Sequence, residues 1–493
     1  MSAPIPIGTR RTFADIAVQI VGRIGNLALG VVVTLVIVRS LGASGFGAWS
    51  TIFAVSQIAT NIGELGLSQI AVSRAASEPE RASAWLGSLV SLRLMLSLPI
   101  AILSVVAVVL IAPTHEAKVA GVLISCGLLL SAPSAIGAVF QLRVRNDIPT
   151  AILTLNSVLW AIAVFAVAAA SGGILVFATA FVAVSTLTTS VTVAAALRLT
   201  KVRLRGTRQH WGSLARVGVT VGAAGILITF YVKLDQILVL KFAGSRQAGL
   251  YGADYRILDQ VQFIPASVMT TLFPLIASSH PHNLERVRKL LQSAAEYLTI
   301  ASLPILAFTI VAAHSIVGLL FGKQFLAAAP ALPILMAAFV FISFGYLTGG
   351  MVVILELQRR FLTYAALALI VNAVLNILLI PRYGFLAAAW ITLVTELVVM
   401  SLTMHRILRG LEMTPRLGRL LRALMAAAFM GVIAWLAQRA SAPITVVVVA
   451  AGVSYLVAIS VLRVIRYSEV LTILRKDPFL TDDESVELPS GQA

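Results

Sequence analysis

Long apolar runs are the feature that most constrains this chain of 493 residues. Runs of about 20 residues recur from one end to the other, and each can cross the roughly 30 Å hydrocarbon core of a bilayer. The backbone must satisfy its own hydrogen bonds there, so the spans are helices or barrel strands, and strands would alternate in polarity over about 10 residues. With only 12% charged and 59% hydrophobic residues, the sequence predicts an all-α, polytopic membrane protein of about 14 transmembrane helices.

The bounds of the helices follow from where each apolar run begins and ends. We expect helices at 14–40, 46–66, 83–111, 117–142, 148–170, 172–198, 213–240, 250–278, 292–320, 326–356, 360–380, 385–409, 420–438 and 443–466. The links are short, which argues against an enzyme that carries its active site on a large external loop. Arg10-Arg11 resembles a twin-arginine signal, but the apolar stretch that follows continues to about Leu41, so we interpret it as the first permanent helix.

Basic residues lie mainly in the links on one side of the predicted bundle. The formal net charge is +17, and the links on that side hold about 26 Lys and Arg against about 7 on the other. This asymmetry predicts that the basic side is cytoplasmic, with both termini there and an even number of crossings. Such a surface suits anionic lipid headgroups. Because the charge is confined to links beside the membrane, nucleic acid is not an expected partner.

Two glycine-rich segments occupy matching places in the chain. Leu41-Gly42-Ala43-Ser44-Gly45-Phe46-Gly47-Ala48-Trp49 follows the first helix, and Ala243-Gly244 with Gly249-Leu250-Tyr251-Gly252-Ala253 follows the seventh. The match predicts tight helix hairpins and two pseudo-symmetric lobes of six helices, with a substrate site between them. We assign an N-lobe to 1–200, a basic cytoplasmic linker to 201–212, a C-lobe to 213–410, two further helices to 411–466 and a cytoplasmic tail to 467–493.

Polar and charged side chains inside predicted helices are the best pointers to a site, because a charge at the bilayer centre costs about 2.5–3.5 kcal/mol on insertion scales. They cluster on helices 1, 2, 7 and 8: Asp15, Gln19, Arg23, Asn26, Gln57, Asn61, Glu64, Lys233, Asp235, Asp254, Tyr255, Arg256, Asp259 and Gln262. Each lobe thus carries a cation near its glycine-rich segment, Arg23 in the first and Arg256 in the second, as a wet chamber between the lobes would require. The alternative is that Arg256 and Asp259, at i and i+3, neutralise each other while Lys233 extends to a lipid headgroup.

Other intramembrane polar groups leave the choice open. Asn372 and Asn376, four residues apart, could bridge helices or line a route, and Glu396 is near enough to a helix end for interface siting to compete with a cavity role. The single cysteine, Cys126, lies in an apolar run, and we predict no metal site and no cofactor. Phosphate-binding-loop, His-Glu-x-x-His and Gly-x-Ser-x-Gly signatures are absent from the sequence. ATP hydrolysis and other enzymatic catalysis are therefore not expected.

Several motifs together resemble a known family. They are Arg39-Ser40-Leu41-Gly42 with Gly45-Phe46-Gly47, Lys233-Leu234-Asp235-Gln236 leading to Gly249-Leu250-Tyr251, Pro265 and Pro274, and Asn372-Ala373-Val374-Leu375-Asn376 with Ile380-Pro381-Arg382-Tyr383-Gly384, Ala387-Ala388-Ala389 and Glu396. Their order over both lobes resembles the polysaccharide-transporter (O-antigen flippase) family of the multidrug/oligosaccharidyl-lipid/polysaccharide exporter superfamily. The resemblance implies a two-lobe bundle in the bacterial plasma (inner) membrane. Such a bundle would flip an undecaprenyl-pyrophosphate-linked oligosaccharide, the repeat unit of O-antigen or exopolysaccharide, by alternating access.

The resemblance also assigns expected roles. A pyrophosphate needs cations that replace its water, and the guanidinium fork suits phosphate oxygens, so Arg23, Arg256 and then Lys233 are the expected substrate-binding cations. Sugar hydroxyls would meet Gln19, Asn26, Gln57, Asn61, Tyr255 and Gln262, while the prenyl chain stays in lipid. The candidates for carrying a coupling proton or sodium ion are Asp15, Glu64, Asp235, Asp254 and Asp259, and the sequence does not choose among them.

Partners and alternatives follow from the same comparison. The expected partners are the lipid-linked oligosaccharide and membrane lipids, and the resemblance allows a polysaccharide polymerase and chain-length proteins as well. A cation-coupled multidrug antiporter or a flippase for a lipid II-type peptidoglycan precursor would use the same fold. A membrane sugar polymerase or glycosyltransferase is the remaining alternative, and it should show a long external loop that this sequence lacks.

Overall fold

A computed structural model describes residues 9–143, 145, 147–200 and 210–464, without the side chains of residues 9–24, 27, 219–221 and 224. In these ranges the regular secondary structure is entirely helical. Twelve segments among the described residues are long and apolar enough to cross a membrane. The first of them, Ala28–Ser77, contains a break at Gly42 and so two helical arms. Counting those two arms separately gives thirteen spans, and the 33-residue helix Trp211–Ala243 makes fourteen. The predicted fold class is confirmed.

Sixteen α-helices follow one another along the described chain. They are α1 (Thr9–Glu64), α2 (Leu67–Ser77), α3 (Ala82–Ile111), α4 (His115–Ser131), α5 (Ala138–Leu142), α6 (Asp147–Ala169), α7 (Ile174–Leu199), α8 (Trp211–Ala243), α9 (Ser245–Val261), α10 (Phe263–Ser279), α11 (Leu284–Phe321), α12 (Ala331–Ile354), α13 (Gln358–Tyr383), α14 (Phe385–Gly410), α15 (Gly418–Arg439) and α16 (Ile444–Val461). Short 3-10 turns at Pro79–Arg81, Ala132–Gly137 and Lys323–Ala328 join some of them.

Glycine makes the sharp turns at the two segments singled out as a repeat. Gly42 divides α1 with φ 65° and ψ 179°, and Gly244 separates α8 from α9 with φ 86° and ψ 171°. Only glycine adopts this region readily, because a Cβ would clash with the backbone. The two segments therefore match in backbone conformation as well as in sequence, which is the tight turn that their glycines predict. Assignment of the flanking helices to two lobes stays a prediction.

Three predicted helices differ from the observed ones for identifiable reasons. The predicted helix 117–142 is divided by the 3-10 turn that contains Pro133, and the predicted helix 250–278 is interrupted at Gln262. Pro265 explains the second break, since it has no N–H to donate to the Val261 carbonyl. Helix α11 begins at Leu284, eight residues before the predicted 292, because Asn283 caps it through a 2.9 Å bond from the Arg286 N–H.

Close packing joins α1, on both sides of its Gly42 turn, to the C-terminal half of the chain. Gly47 and Gly249 lie in direct contact across α1 and α9, and a Cβ on Gly249 would overlap the Ala43 carbonyl. Beside them, Arg39 donates from Nε to the Leu320 carbonyl of α11 at 2.9 Å and also bonds to the Leu319 carbonyl. These contacts all lie at the glycine-turn end of the helices. At this end, α1 is packed tightly against α9 and α11.

Candidate functional site

A wide, open cavity lies where the second arm of α1 meets α8, α9, α10 and α12. We call it the central chamber; its volume is about 620 Å³, and its walls are Gln57, Asn61, Ile228, Thr229, Val232, Lys233, Asp259, Gln262, Phe263, Ala266 and Tyr346. A narrower recess shares Gln57, Val232, Lys233 and Asp259 with it. That recess reaches Ser50, Tyr251 and Arg256, so polar groups from both halves of the chain face one space.

Two cations and one carboxylate lie together in the walls of the chamber and its recess. Asp259 Oδ2 lies 3.7 Å from Lys233 Nζ and 4.0 Å from Arg256 Nη1. The Lys233 ammonium also lies over the Tyr255 ring, 5.4 Å from its centroid, in cation–π geometry. We call Lys233, Arg256 and Asp259 the cation cluster. Its side chains are 19%, 31% and 27% exposed, so they border the chamber rather than fill the protein interior.

The cation cluster keeps a positive charge after its internal pairing. Two cations share one carboxylate, which leaves one net positive charge. Both distances are near the outer limit for an ion pair, so neither pair is a tight, bidentate contact of the kind that would occupy all the donors of Arg256. The expectation that Arg256 and Asp259 simply neutralise each other is thus incomplete, because Lys233 shares the same carboxylate. An anion that enters the chamber would find unused donors.

Amide and hydroxyl groups complete the chamber wall. Gln57 and Asn61 of α1 face it without a side-chain hydrogen bond between described residues. The Gln262 Oε1 accepts a 3.2 Å hydrogen bond from the Tyr346 hydroxyl, and the Tyr255 hydroxyl donates to the Val232 carbonyl at 3.3 Å. Tyr255 therefore offers its ring more than its hydroxyl. The amides of α1 are the most available partners for a polar ligand.

A second polar cluster is buried beside the chamber, between α8, α9, α13 and α14. Asp235 is 2% exposed, and its Oδ1 accepts from Asn376 Nδ2 at 2.8 Å. Its Oδ2 accepts from Thr392 Oγ1 at 2.8 Å and from the Tyr251 hydroxyl at 3.3 Å. We call Asp235, Tyr251, Asn372, Asn376 and Thr392 the Asp235 cluster. All its donors are neutral.

One acceptor of the Asp235 cluster has no donor. Asn376 Nδ2 donates to the Asn372 Oδ1 at 3.0 Å as well as to Asp235, whereas the buried Asn376 Oδ1 has no hydrogen-bond partner among the described residues. A buried carboxylate and an unsatisfied carbonyl oxygen are costly unless a proton or a cation compensates them. Among the acidic candidates whose side chains the structure describes, Asp235 is the one with several neutral oxygen-bearing side chains around its carboxylate, a setting that suits a bound monovalent cation.

The remaining acidic candidates lie in different settings. Asp254 is fully buried, and neither carboxylate oxygen has a hydrogen-bond partner in the described part of the chain. Glu64 forms an ion pair with Arg93 of α3, so it has a structural role at the end of α1. Asp259 belongs to the cation cluster. These placements distinguish the four candidates whose side chains the structure describes, without assigning an ion to any of them.

Several predicted site residues fall outside the chamber or outside the described side chains. Asn26 donates a 3.2 Å hydrogen bond to Thr154 Oγ1 of α6. The side chains of Asp15, Gln19 and Arg23 lie outside the described part of α1, so their predicted roles stay predictions.

The sequence analysis identified Asp235 as a candidate but did not identify which residues form hydrogen bonds to it. Tyr251 and Thr392 were not identified as site residues, because a hydroxyl within an apolar helix commonly bonds to its own backbone. The 4-residue spacing of Asn372 and Asn376 was the available signal, since it puts both amides on one face of α13. What it could not show is that this face meets Asp235 of α8.

A helical bundle of membrane spans around a polar, charged chamber is the architecture of a membrane transporter. The family model described as "Polysaccharide biosynthesis protein" matches residues 36–330. The chain therefore belongs to this polysaccharide biosynthesis protein family, and the family expected from the motifs is confirmed. A comparison with curated protein sequences finds no match.

Solved structures share the fold at low sequence identity. "Lipid II flippase MurJ, inward closed conformation" has a TM-score of 0.74 at 14% identity, covering 92% of this chain and 100% of that one. An inward-facing multidrug resistance MATE family transporter of the MOP superfamily has a TM-score of 0.63 at 15% identity, covering 78% and 95%. The MATE multidrug transporter DinF-BH has a TM-score of 0.58 at 17% identity, covering 79% and 93%. These likenesses show the transporter fold.

Proposed function

We propose that this protein flips an undecaprenyl-pyrophosphate-linked oligosaccharide across the bacterial plasma membrane by alternating access. The observation that carries the proposal is the net positive charge of the cation cluster inside a chamber bordered by α1 and α8–α10. Hydrocarbon does not solvate a pyrophosphate, so the chamber must supply replacement partners for its lost water. Arg256 and Lys233 supply charge-assisted donors, and Arg23 is a further candidate.

The other chamber walls suit the remainder of such a substrate. Gln57, Asn61 and Gln262 present amides to sugar hydroxyls, and Tyr255 presents a ring. The prenyl chain is apolar and can stay in the surrounding lipid. The sugar composition is not specified by these groups, and a lipid II-type precursor has the same headgroup chemistry.

Coupling to an ion gradient would use the Asp235 cluster. We infer that Asp235 carries the proton or sodium ion, because it combines a buried carboxylate, neutral donors and the unsatisfied Asn376 Oδ1. Both termini would lie in the cytoplasm, by the distribution of basic residues.

The proposal is tested by flipping in proteoliposomes that contain the purified full-length chain. The probe is a fluorescent undecaprenyl-pyrophosphate-linked monosaccharide, and its arrival in the outer leaflet is detected by an impermeant reagent that oxidises sugars. We expect Arg256→Gln and Lys233→Gln each to slow flipping by about tenfold or more, since a lost charged hydrogen bond is worth about 1.5–3 kcal/mol. Arg23→Gln tests the third predicted cation.

Arg246→Gln is the matched control, because Arg246 lies on the same helix as Arg256 but is exposed outside the chamber. Equal flipping by Arg256→Gln, Lys233→Gln and the control, at equal reconstitution, would remove the basis of the proposal. Preferential transport of a small aromatic cation over the lipid-linked sugar would favour the multidrug antiporter. The net positive cation cluster argues against that alternative, since it repels cations.

A further inference from the structure

A second cavity lies within the C-terminal helices, next to the central chamber. Its volume is about 830 Å³, and α8, α12, α13 and α14 form most of its wall. We call it the C-lobe cavity. Ile228, Val232, Gln262 and Tyr346 line both spaces, so the two are contiguous. Neither the cation cluster nor the Asp235 cluster uses this cavity.

Glu396 of α14 is the one ionisable acid in the wall of the C-lobe cavity. The other polar side chains of that wall are Tyr231, Gln262, Tyr346, Thr348 and Gln358, and no Lys or Arg belongs to it. Within the described part of the chain, Glu396 forms no salt bridge. A carboxylate without a cation partner is unfavourable in a largely apolar cavity, and its neighbours Tyr231 and Asp235 supply no positive charge.

Tyr231 gives independent evidence of a missing partner at the same place. Its hydroxyl is buried, and no hydrogen-bond partner is in place for it among the described residues. It lines the cavity together with Glu396 and lies near that carboxylate across the α8–α14 contact. The Tyr231 hydroxyl lies beside the Glu396 carboxylate and the Thr395 hydroxyl without a well-formed hydrogen bond to either, so it is available to a ligand that enters the cavity.

Helical spacing connects this pair to the Asp235 cluster. Tyr231 precedes Asp235 by four residues on α8, and Glu396 follows Thr392 by four residues on α14. Residues at this spacing lie one above the other on a helix face. Because Thr392 donates to Asp235, the pair Tyr231 and Glu396 forms the next layer of the same interface. Both helices place that layer toward the α12–α13 connection, where Gln358 lines the cavity.

The groups that face Glu396 determine which ligand fits. Asp235 and Tyr231 on α8 and Tyr255 on α9 are its titratable or charged neighbours, and Tyr346 of α12 lines the same wall. Asp235 and Glu396 bear the same charge when both are ionised, and no cation from the described chain lies between them. Their combined field attracts a small cation into the layer that separates them.

We propose that Glu396 is an access carboxylate that passes a monovalent cation, a sodium ion or a proton, between the C-lobe cavity and Asp235. Tyr231 then supplies an oxygen to the ion in transit. The inference deepens the proposed function, because it rests on Asp235 as the coupling group. It adds the side of the protein from which the ion reaches that group, which is the side of the α12–α13 connection.

The test measures ion flux through the full-length chain in proteoliposomes. Uptake of radioactive sodium forms one arm, and proton movement reported by entrapped pyranine forms the other, so the two sources are distinguished. We expect Asp235→Asn to abolish the flux of the coupled ion and Glu396→Gln to reduce it by about tenfold or more, the effect usual for groups that support an ion site. Glu396→Asp should restore most of the flux, since it keeps the carboxylate. Glu116→Gln removes an exposed carboxylate of α4 and should leave the flux unchanged.

Carbodiimide labelling distinguishes an ion-binding role of Glu396 from a purely structural one, because only an ion-binding carboxylate is protected from labelling by the ion. Dicyclohexylcarbodiimide partitions into apolar cavities, and peptide mass spectrometry identifies the modified residue. We expect adducts on Glu396 that decrease when the coupled ion is added at constant ionic strength. A flux lost in Asp235→Asn but retained in Glu396→Gln overturns the access role and leaves the coupling role of Asp235. Absence of both ion fluxes, with flipping of the lipid-linked sugar intact, overturns ion coupling and the access role but not the flippase proposal.

Discussion

Neutralising Asp259 should tighten the binding of a pyrophosphate headgroup, because it removes the negative charge of the chamber wall and leaves its two cations. Asp259 lies 3.7 Å from Lys233 Nζ and 4.0 Å from Arg256 Nη1, so it competes with an entering anion for both cations. Asp259→Asn raises the net charge of the cation cluster from one positive charge to two. Arg256→Gln lowers it to zero, and the double variant returns it to one.

The size of the effect follows from Coulomb's law. A phosphate about 7 Å from the added charge, at an effective dielectric of about 20–40, interacts with it by about 1–2.5 kcal/mol. The partial exposure of the three side chains favours the lower half of that range. Each unit of charge should therefore change the dissociation constant by about tenfold, which corresponds to 1.4 kcal/mol.

Calorimetric titration of the purified protein in an uncharged detergent measures this series. Farnesyl pyrophosphate serves as a soluble probe, and inorganic pyrophosphate reports the headgroup alone. We expect Asp259→Asn to bind the probes most tightly and Arg256→Gln to bind them most weakly. The unmodified protein and the double variant should have equal, intermediate affinities. The differences in dissociation constant between the variants should shrink at 1 M salt, where the Debye length falls to about 3 Å. Asp147→Asn makes the same charge change at an exposed site and should have no effect. Weaker binding by Asp259→Asn would refute the electrostatic reasoning.

Three further predictions concern stability and orientation. Gly249→Ala should destabilise the protein by about 1–3 kcal/mol, because its Cβ would overlap the Ala43 carbonyl. Gly225→Ala should be tolerated, because its Cβ meets no neighbour within 4 Å. Thermal unfolding of both variants in detergent measures the difference. Glu296→Gln should lower the unfolding temperature far more than Glu285→Gln. Glu296 is a buried partner of Arg419 at 2.8 Å, whereas the side chains of the Glu285–Lys289 pair are each 75% exposed. Equal shifts in unfolding temperature would contradict this reasoning. In a Cys126→Ser background, an impermeant maleimide added to intact cells should label Ser441→Cys and not Gly410→Cys, and the reverse pattern would invert the predicted topology.

The pattern of apolar runs was enough to predict the fold class, because each span must be apolar along its whole length regardless of its neighbours. The turn at Gly42 was also readable, since two glycine-rich segments recur at matching places. Prolines explain where single predicted spans divide. The start of α11 was not readable from apolarity, because its first turns are charged and amphipathic and are stabilised by the Asn283 cap.

The chamber was predicted less completely than the fold. Charged residues within spans indicated Lys233, Arg256 and Asp259, but only the structure places all three around one carboxylate oxygen. The partners of Asp235 come from α9, α13 and α14, which are distant in sequence, and no local pattern encodes that convergence. The role of Glu396 could not be predicted for the same reason, because its distance from a helix end does not show whether a cavity lies beside it.

The contacts that close the glycine-turn end are of a kind that transport can break and remake. Gly47 and Gly249 contribute no side chains, so their helices touch through backbone at this point, while buried apolar residues of both helices, such as Phe46 and Leu250, belong to the surrounding core. Arg39 adds bonds to the Leu319 and Leu320 carbonyls at the C-terminal end of α11, where the helix dipole favours a cation. Exposed contacts of this type are worth about 0.3–1 kcal/mol each. Under the proposed function, an anionic headgroup promotes opening only by binding the open form more tightly than the closed form, by enough to offset this packing as well. The cation cluster contributes charge-assisted contacts of about 1.5–3 kcal/mol each toward that difference.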